Sequence, residues 1–232
     1  MERKLGTFYG VSVGPGDPEL MTLKALRCIR QCPVLAAPRT AEGRMLALEI
    51  AEGTADLAGK TILPLQFAMS RDPAVLRASH EAAAAEVRAY LDAGCDVAML
   101  NLGDVSVYAT YGYLEDILKA EGYSTQRIAG VPSFCAAAAR LGQSLTGGME
   151  QPLTIAPGCH AEEILDGPGA KVLMKTGRQL PETLSALEKR GLLARSAMVC
   201  SCGLPNERVY PMLEGAVLPP QTDYFTTILV KE

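Results

Sequence analysis

The run Thr7 to Val13 is apolar and β-branched, stops at the tight turn Gly14-Pro15-Gly16, and leads at once into Asp17-Pro18-Glu19. That order of strand, glycine turn and helix start constrains the fold more than any other feature, because strands that feed helices through short turns build parallel sheets. Asp17 is a suitable N-cap and Pro18 a suitable first helical residue. Leu20, Leu23, Leu26 and Ile29 recur at helical spacing and predict one face buried against the sheet.

The same grammar continues. Val34 to Ala37, Met45 to Ala55 and Thr61 to Leu65 read as strand, helix, strand, and Asp72-Pro73 caps a long helix ending near Gly94. Val97 to Leu102 is a short, almost wholly apolar run, as expected for a strand buried on both faces of a parallel sheet. Gly103-Asp104 sits at its carboxy end. A helix over Tyr111 to Glu121 and a strand over Ser124 to Ile128 follow.

Ala129-Gly130-Val131-Pro132 is the best linker, which divides the chain into domains 1–128 and 129–232. In the second, Ser133 caps a small-residue helix through Leu141. Strands at Leu153 to Ala156, Val172 to Met174, Ala197 to Cys200 and Phe225 to Val230 surround a helix at Leu180 to Arg190. Both halves are α/β.

At 232 residues the chain is long enough for two modest domains, and its net charge of −4 argues against a surface that coats nucleic acid. The basic start, Met1 to Lys4, leads into a run broken at Gly10, Gly14 and Gly16, so neither a signal peptide nor a membrane span is expected and the cytoplasm is the default. Seven scattered cysteines are an odd count and predict reduced thiols. Cys28 with Cys32, Cys200 with Cys202, Cys159-His160 and His80 lack the complement of a zinc site, so no metal is expected.

The glycine turns fit neither common nucleotide template. Gly14-Pro15-Gly16 continues with Asp17, Pro18 and Glu19, without the third glycine of a dinucleotide fingerprint or the lysine of a phosphate loop. Asp17 and Glu19 would repel a phosphate at the helix start, so a neutral or cationic ligand fits better. Alone, the turn is better read as only a tight connection. Gly103-Asp104 after a second strand changes that reading, because in an open parallel sheet the carboxy ends of the strands converge on one crevice.

Val13-Gly14-Pro15-Gly16-Asp17-Pro18-Glu19-Leu20, Leu102-Gly103-Asp104-Val105-Ser106-Val107-Tyr108 and Gly130-Val131-Pro132-Ser133-Phe134 resemble segments of the tetrapyrrole methyltransferases. Gln151 to Gly158 and Val172 to Lys175 extend the resemblance through the second half. Within that family, Gly103 to Thr110, Pro38 with its basic loop and Met45 to Ala51 look most like precorrin-2 C20-methyltransferase, including the enzymes acting on cobalt-factor II. Val105 replaces a frequent proline and Ala109 a frequent serine, and neither change removes a backbone contact.

The resemblance implies two α/β domains, a mostly parallel amino-terminal sheet and a mixed carboxy-terminal sheet, with S-adenosylmethionine in the cleft between them. It places Gly14, Pro15, Gly16, Leu20, Gly103, Asp104, Val105, Tyr108, Ser133, Phe134, Met174 and Gly203 at the cofactor. Tyr108, Tyr111 and Asp104 are the nearest candidates for the weak base that methylation of a bridging carbon requires, and each also has a packing or capping reading. Arg39, Arg44, Lys175 and Arg178 are candidate partners for the substrate's carboxylates. The resemblance also implies a homodimer. Methylation at another corrin carbon, of ribosomal RNA or of a protein residue remain alternatives, as does a non-catalytic tetrapyrrole- or adenosine-binding module.

Overall fold

A computed structural model describes residues 4–219 and 222–231, so Met1 to Arg3 of the basic start lie outside it. Its contacts divide the chain into two units, Met1–Pro132 and Ser133–Glu232. The first unit extends past Ile128 because the backbone of Gly130 is held by Asp104 of the same unit, at 2.7 Å.

The first unit carries five parallel strands: β1 (Phe8–Ser12), β2 (Val34–Pro38), β3 (Thr61–Leu65), β4 (Val97–Asn101) and β5 (Thr125–Ile128), in spatial order β3-β2-β4-β1-β5. All five residues of β4 are buried, as its almost wholly apolar run predicts. Between the strands run α1 (Leu23–Gln31), α2 (Leu46–Glu52), α3 (Pro73–Asp92) and α4 (Tyr111–Ala120). Asp72 caps α3 by accepting from Ala74 N at 2.8 Å. The buried stripe of α3, Ala83, Ala84, Val87 and Leu91, joins Leu114 and Leu118 of α4 over Phe8, Val34, Val97 and Met99. Side chains alternate across a strand, so Tyr9 lies on the opposite face, beside α1. Helices thus cover both faces of the sheet.

The helix expected at Asp17 begins later. Asp17 caps only the 3-10 turn Pro18–Leu20, and Thr22 caps α1 by accepting from Ala25 N. The buried residues of α1 are therefore Ala25, Cys28 and Ile29, while Leu23 is 77% exposed. Leucine spacing alone placed the face wrongly, because a second capping residue restarts the helical phase.

The second unit carries α5 (Ser133–Arg140), β6 (Leu153–Pro157), α6 (Ala161–Ile164), β7 (Ala170–Met174), α7 (Leu180–Lys189), β8 (Ser196–Cys200), β9 (Arg208–Tyr210) and β10 (Thr226–Val230). Its sheet is mixed, in order β6-β7-β10-β8-β9. β6 and β7 are parallel, and β10 pairs antiparallel with both β7 and β8. The core joins Ala161, Leu165, Leu180 and Leu187 to Leu173, Met198 and Ile228. The short α6 and β9 escape a sequence reading because neither is long enough to show a period.

Candidate functional site

In the first unit β1 and β4 are neighbours, yet the chain leaves β1 toward β2 and leaves β4 toward β5, on opposite sides. Their carboxy ends therefore form the topological switch point, where open α/β sheets bind ligands. The two glycine turns meet there. Gly103 N donates to Gly14 O at 2.8 Å, Val13 N donates to Asn101 O at 2.9 Å, and both glycines have positive φ, +80° at Gly14 and +68° at Gly103. Gly14, Pro15, Gly16 and Gly103 are buried, with Leu20 half-buried beside them. A Cβ at Gly14 would lie 3.3 Å from the Leu20 backbone, so the turn is already closely packed.

Two side chains fasten this edge. Ser12, fully buried, donates from Oγ to Ile128 O at 2.7 Å and accepts from Val105 N at 2.9 Å. Asp104 accepts from Gly130 N at 2.7 Å through one oxygen and from Ser106 N at 2.8 Å through the other, which also takes the Ser106 hydroxyl. Burial opposes the charge of Asp104, but the Gly130 and Ser106 hydrogen bonds outweigh it, with help from Arg127, and hold its carboxyl below the usual range. With both oxygens engaged and its basicity reduced, Asp104 is a brace that also keeps a negative charge at the edge. Val105 is 2% exposed, and its role is carried by its backbone.

Tyr111 is corrected to a core residue. It is fully buried, its ring centroid lies 4.8 Å from that of Phe8, and its hydroxyl proton is shared between the carbonyls of Phe8 and Gln126 at 3.2 and 3.3 Å. Burial pushes its pKa far upward. Gly10 has no side chain because a Cβ there would sit 2.7 Å from the Tyr111 ring.

Tyr108 differs on both counts: it is 48% exposed and holds φ at 49°, a conformation bulky residues rarely adopt. Strained backbone of this kind persists where its surroundings over-determine it, and such residues cluster at ligand sites. Tyr108→Gly is expected to leave the melting temperature unchanged or slightly raised, since relief of the left-handed conformation is worth about 1 kcal/mol. The same substitution is expected to slow turnover tenfold or more, checked by thermal melts beside initial rates.

Arg39 and Arg44 follow β2 at the same carboxy edge. Arg39 is exposed, its backbone N donating to Leu65 O at 2.8 Å. Arg44 forms a forked pair with Glu49, 2.7 Å at the closest, so part of its charge is already answered.

In the second unit β7 and β8 both oppose β10 and so end on one edge. Met174, Lys175, Arg178 and Gly203 fall there in chain order. Lys175 and Ser201 each hold positive φ, 57° and 49°, immediately after their strands, and Gly203 follows at 78°. Met174 is 7% exposed and Arg178 is exposed. The Lys175 ammonium lies 5.3 Å from the Tyr224 ring centroid. Ser201 Oγ donates to Asp223 at 3.1 Å, and Asn206 Nδ2 reaches both Asp223 and Ser201, at 2.8 and 3.2 Å. Thr176 donates to Thr226 O through both its backbone N and its hydroxyl. Gly203 N donates to Glu207 at 2.8 Å. Ser133 and Phe134 open α5, which packs on β10, with Ser133 half-buried and Phe134 at 7% exposure. The sequence reading missed Ser12, Thr176, Ser201, Asn206, Asp223 and Tyr224. Only Ser12 carried a signal, as a polar residue inside an apolar strand next to the glycine turn.

The edges suit a ligand gripped mainly by main chain. In the first unit, the glycines keep side chains away from the turn backbone, and Asp17, Glu19 and Asp104 favour positive over negative charge. In the second, Thr222 Oγ1 is buried without a hydrogen-bond partner among the described residues, beside Asp223 of the edge network. Among the described residues, no group of three or more His, Cys, Asp or Glu is arranged to hold a metal. No described helix is long and apolar enough to cross a membrane.

Comparison with known proteins follows the same lines. Residues 7–217 match the sequence pattern of the tetrapyrrole (corrin/porphyrin) methylases. The chain is 31% identical to a precorrin-2 C(20)-methyltransferase of a Sinorhizobium species, covering 97% of this chain and 95% of that one. It is 30% identical to the cobalt-precorrin-2 C(20)-methyltransferase of Salmonella typhimurium, covering 98% and 97%. The crystal structure of uroporphyrin-III-C-methyltransferase from Thermus thermophilus superposes with a TM-score of 0.69 at 26% identity, over 97% of this chain and 92% of that one.

Proposed function

Because this chain belongs to the tetrapyrrole methylases, we propose that it uses S-adenosylmethionine to methylate C20 of precorrin-2 or of cobalt-factor II, its cobalt-loaded counterpart, in cobalamin biosynthesis. The observation that carries the reading is near-full-length similarity to relatives named for C20 methylation of metal-free and of cobalt-loaded substrate. The fold and the braced glycine edge agree with it.

When bound, S-adenosylmethionine supplies a methyl group on a sulfonium that departs as a neutral thioether. The protein's contribution is placement and exclusion of water. Backbone groups of Gly14 to Gly16 and Gly103 to Val105 would hold the cofactor, and the charge of Asp104 would favour a cationic ligand there. In the second unit, Gly203, Met174, Ser133 and Phe134 are the candidate cofactor contacts. Methylation at C20 would leave that carbon with a proton to lose before conjugation is restored. Tyr108 is the candidate that meets the macrocycle at this step, since Asp104 and Tyr111 are committed to the fold.

The substrate's eight carboxylates call for cations, and Arg39, Lys175 and Arg178, with Arg44 beside its glutamate, are assigned to them. Arg39→Ala is expected to raise the substrate KM about tenfold while the cofactor KM stays within twofold, measured by steady-state kinetics; equal rises would sink the assignment. We also take the protein to be a cytoplasmic homodimer that binds no nucleic acid, the last resting on its net charge of −4.

The deciding experiment is anaerobic incubation with S-adenosylmethionine and the dimethylated tetrapyrrole, metal-free in one tube and cobalt-loaded in another, followed by mass spectrometry and NMR. Gain of one methyl at C20 in either tube is expected. A methyl at another carbon would reassign the position, and none in either tube despite bound cofactor would favour a binding module.

A further inference from the structure

Cys28 and Cys32 take no part in the proposed site. They lie four apart on α1, and their sulfurs are 3.9 Å from each other, at 8% and 2% exposure. Burial alone leaves a thiol inert. These two, however, line an open cavity of about 310 Å³ together with Tyr9, Lys24, Arg27, Gln31, Asp96, Gln126 and Ile128, a polar chamber with room for molecules the size of water.

The local backbone permits closure. Cys32 is the C-cap of α1, with φ −71° and ψ 128°, as expected of a residue before proline, here Pro33. Helical spacing sets the two Cα atoms about 6 Å apart, inside the range a disulfide spans, but leaves the Cβ atoms about 5–6 Å apart against the ~3.5–4.5 Å of a disulfide, so closure draws the Cys32 end of α1 inward by about 1–2 Å. The two thiols are also unequal. One thiol donates to the other sulfur, Cys28 is the more exposed of the two, at 8% against 2%, and Lys24 lines the same cavity, where its charge favours a thiolate.

We propose that Cys28 and Cys32 are a peroxide-oxidisable dithiol that closes to an intramolecular disulfide. The Cys28 thiolate attacks one oxygen of hydrogen peroxide; with one proton taken up, the oxygen–oxygen bond breaks, and a sulfenic acid and one water result. The Cys32 sulfur then attacks the Cys28 sulfur, the sulfur–oxygen bond breaks, and the Cys32 proton leaves with the hydroxide as a second water. The two thiols lose two electrons, and the peroxide gains them.

Trypsin cuts after Arg27, Arg30 and Arg39, so the two cysteines fall in separate peptides, 28–30 and 31–39. The test treats the full-length protein with hydrogen peroxide, alkylates remaining thiols, isolates the monomer band on a non-reducing gel and maps it. The expected result is the two peptides joined, two hydrogens lighter than their sum and separated by dithiothreitol. The link should form at least as fast as thiol is lost at Cys135 and Cys159, which are exposed. Recovery of both peptides singly alkylated, or slower reaction than those exposed thiols, would overturn the proposal. In Cys32→Ser, dimedone is expected to capture a sulfenic acid at Cys28 at least fivefold more than it captures Cys32 in Cys28→Ser. Equal capture would overturn Cys28 as the attacking sulfur.

Discussion

Asp104→Asn is expected to cost about 2–3 kcal/mol of stability and to raise the cofactor KM tenfold or more, although the amide has nearly the shape of the carboxylate. Both oxygens of Asp104 accept, one from Gly130 N and the other from Ser106. An asparagine must turn its NH2 toward one of those donors, losing a charge-assisted hydrogen bond and leaving an N–H unanswered. The pH dependence has a definite sign. The folded-state pKa of Asp104 lies below its unfolded value, so its contribution is fully present above the ordinary carboxylate range, about pH 4, and is lost as pH falls through the folded value. The gap in unfolding free energy between wild type and Asp104→Asn should therefore be constant near neutrality and shrink in strong acid. Urea unfolding at several pH values beside cofactor and substrate KM measures all of this. A fall in kcat alone, with stability and KM unchanged, would instead make Asp104 a proton acceptor and sink the brace.

Which parts of this arrangement are visible in the sequence follows from range. β4 announces itself because burial on both faces favours a nearly continuous apolar run, and the start of α3 is marked by Asp72-Pro73, a capping signal held within a few residues. α1 misleads because Asp17-Pro18 and Thr22 both carry N-cap chemistry within one turn, and only the packing of Ala25, Cys28 and Ile29 decides between them. Asp104 and Tyr111 were legible as special but not as to role. That role depends on partners 26 residues away at Gly130 and 103 away at Phe8. The second unit's edge is least legible, because Ser201, Asn206 and Asp223 meet only when an antiparallel β10 returns between β7 and β8. The glycine turns were readable as tight turns at strand ends because their chemistry, freedom from a Cβ, is a property of the residue itself.

That freedom yields the sharpest steric expectation at Gly130, whose φ is ordinary and whose constraint is space alone. A Cβ there would lie 2.3 Å from Ser12 Cβ and 2.8 Å from Gly103 O, distances that require the surroundings to move. Both neighbours are fixed: Ser12 is held between Ile128 O and Val105 N, and Gly103 is bonded to Gly14. Gly130→Ala is therefore expected to destabilise by about 2–3 kcal/mol, the upper range for overpacking by one methyl group. It should weaken cofactor binding severalfold as well, because the displaced atoms are the braces of both glycine turns. Ser12→Gly removes the nearest clashing atom at its own cost of about 1–2 kcal/mol, since Val105 N and Ile128 O lose their shared hydroxyl. In the double variant that cost and the clash do not add. A double-mutant cycle by chemical denaturation should return a coupling of at least about 1 kcal/mol in the favourable direction. Simple additivity would mean that Gly130 is squeezed by the Gly103 carbonyl and not by Ser12, which would transfer the contact from β1 to the β4 turn.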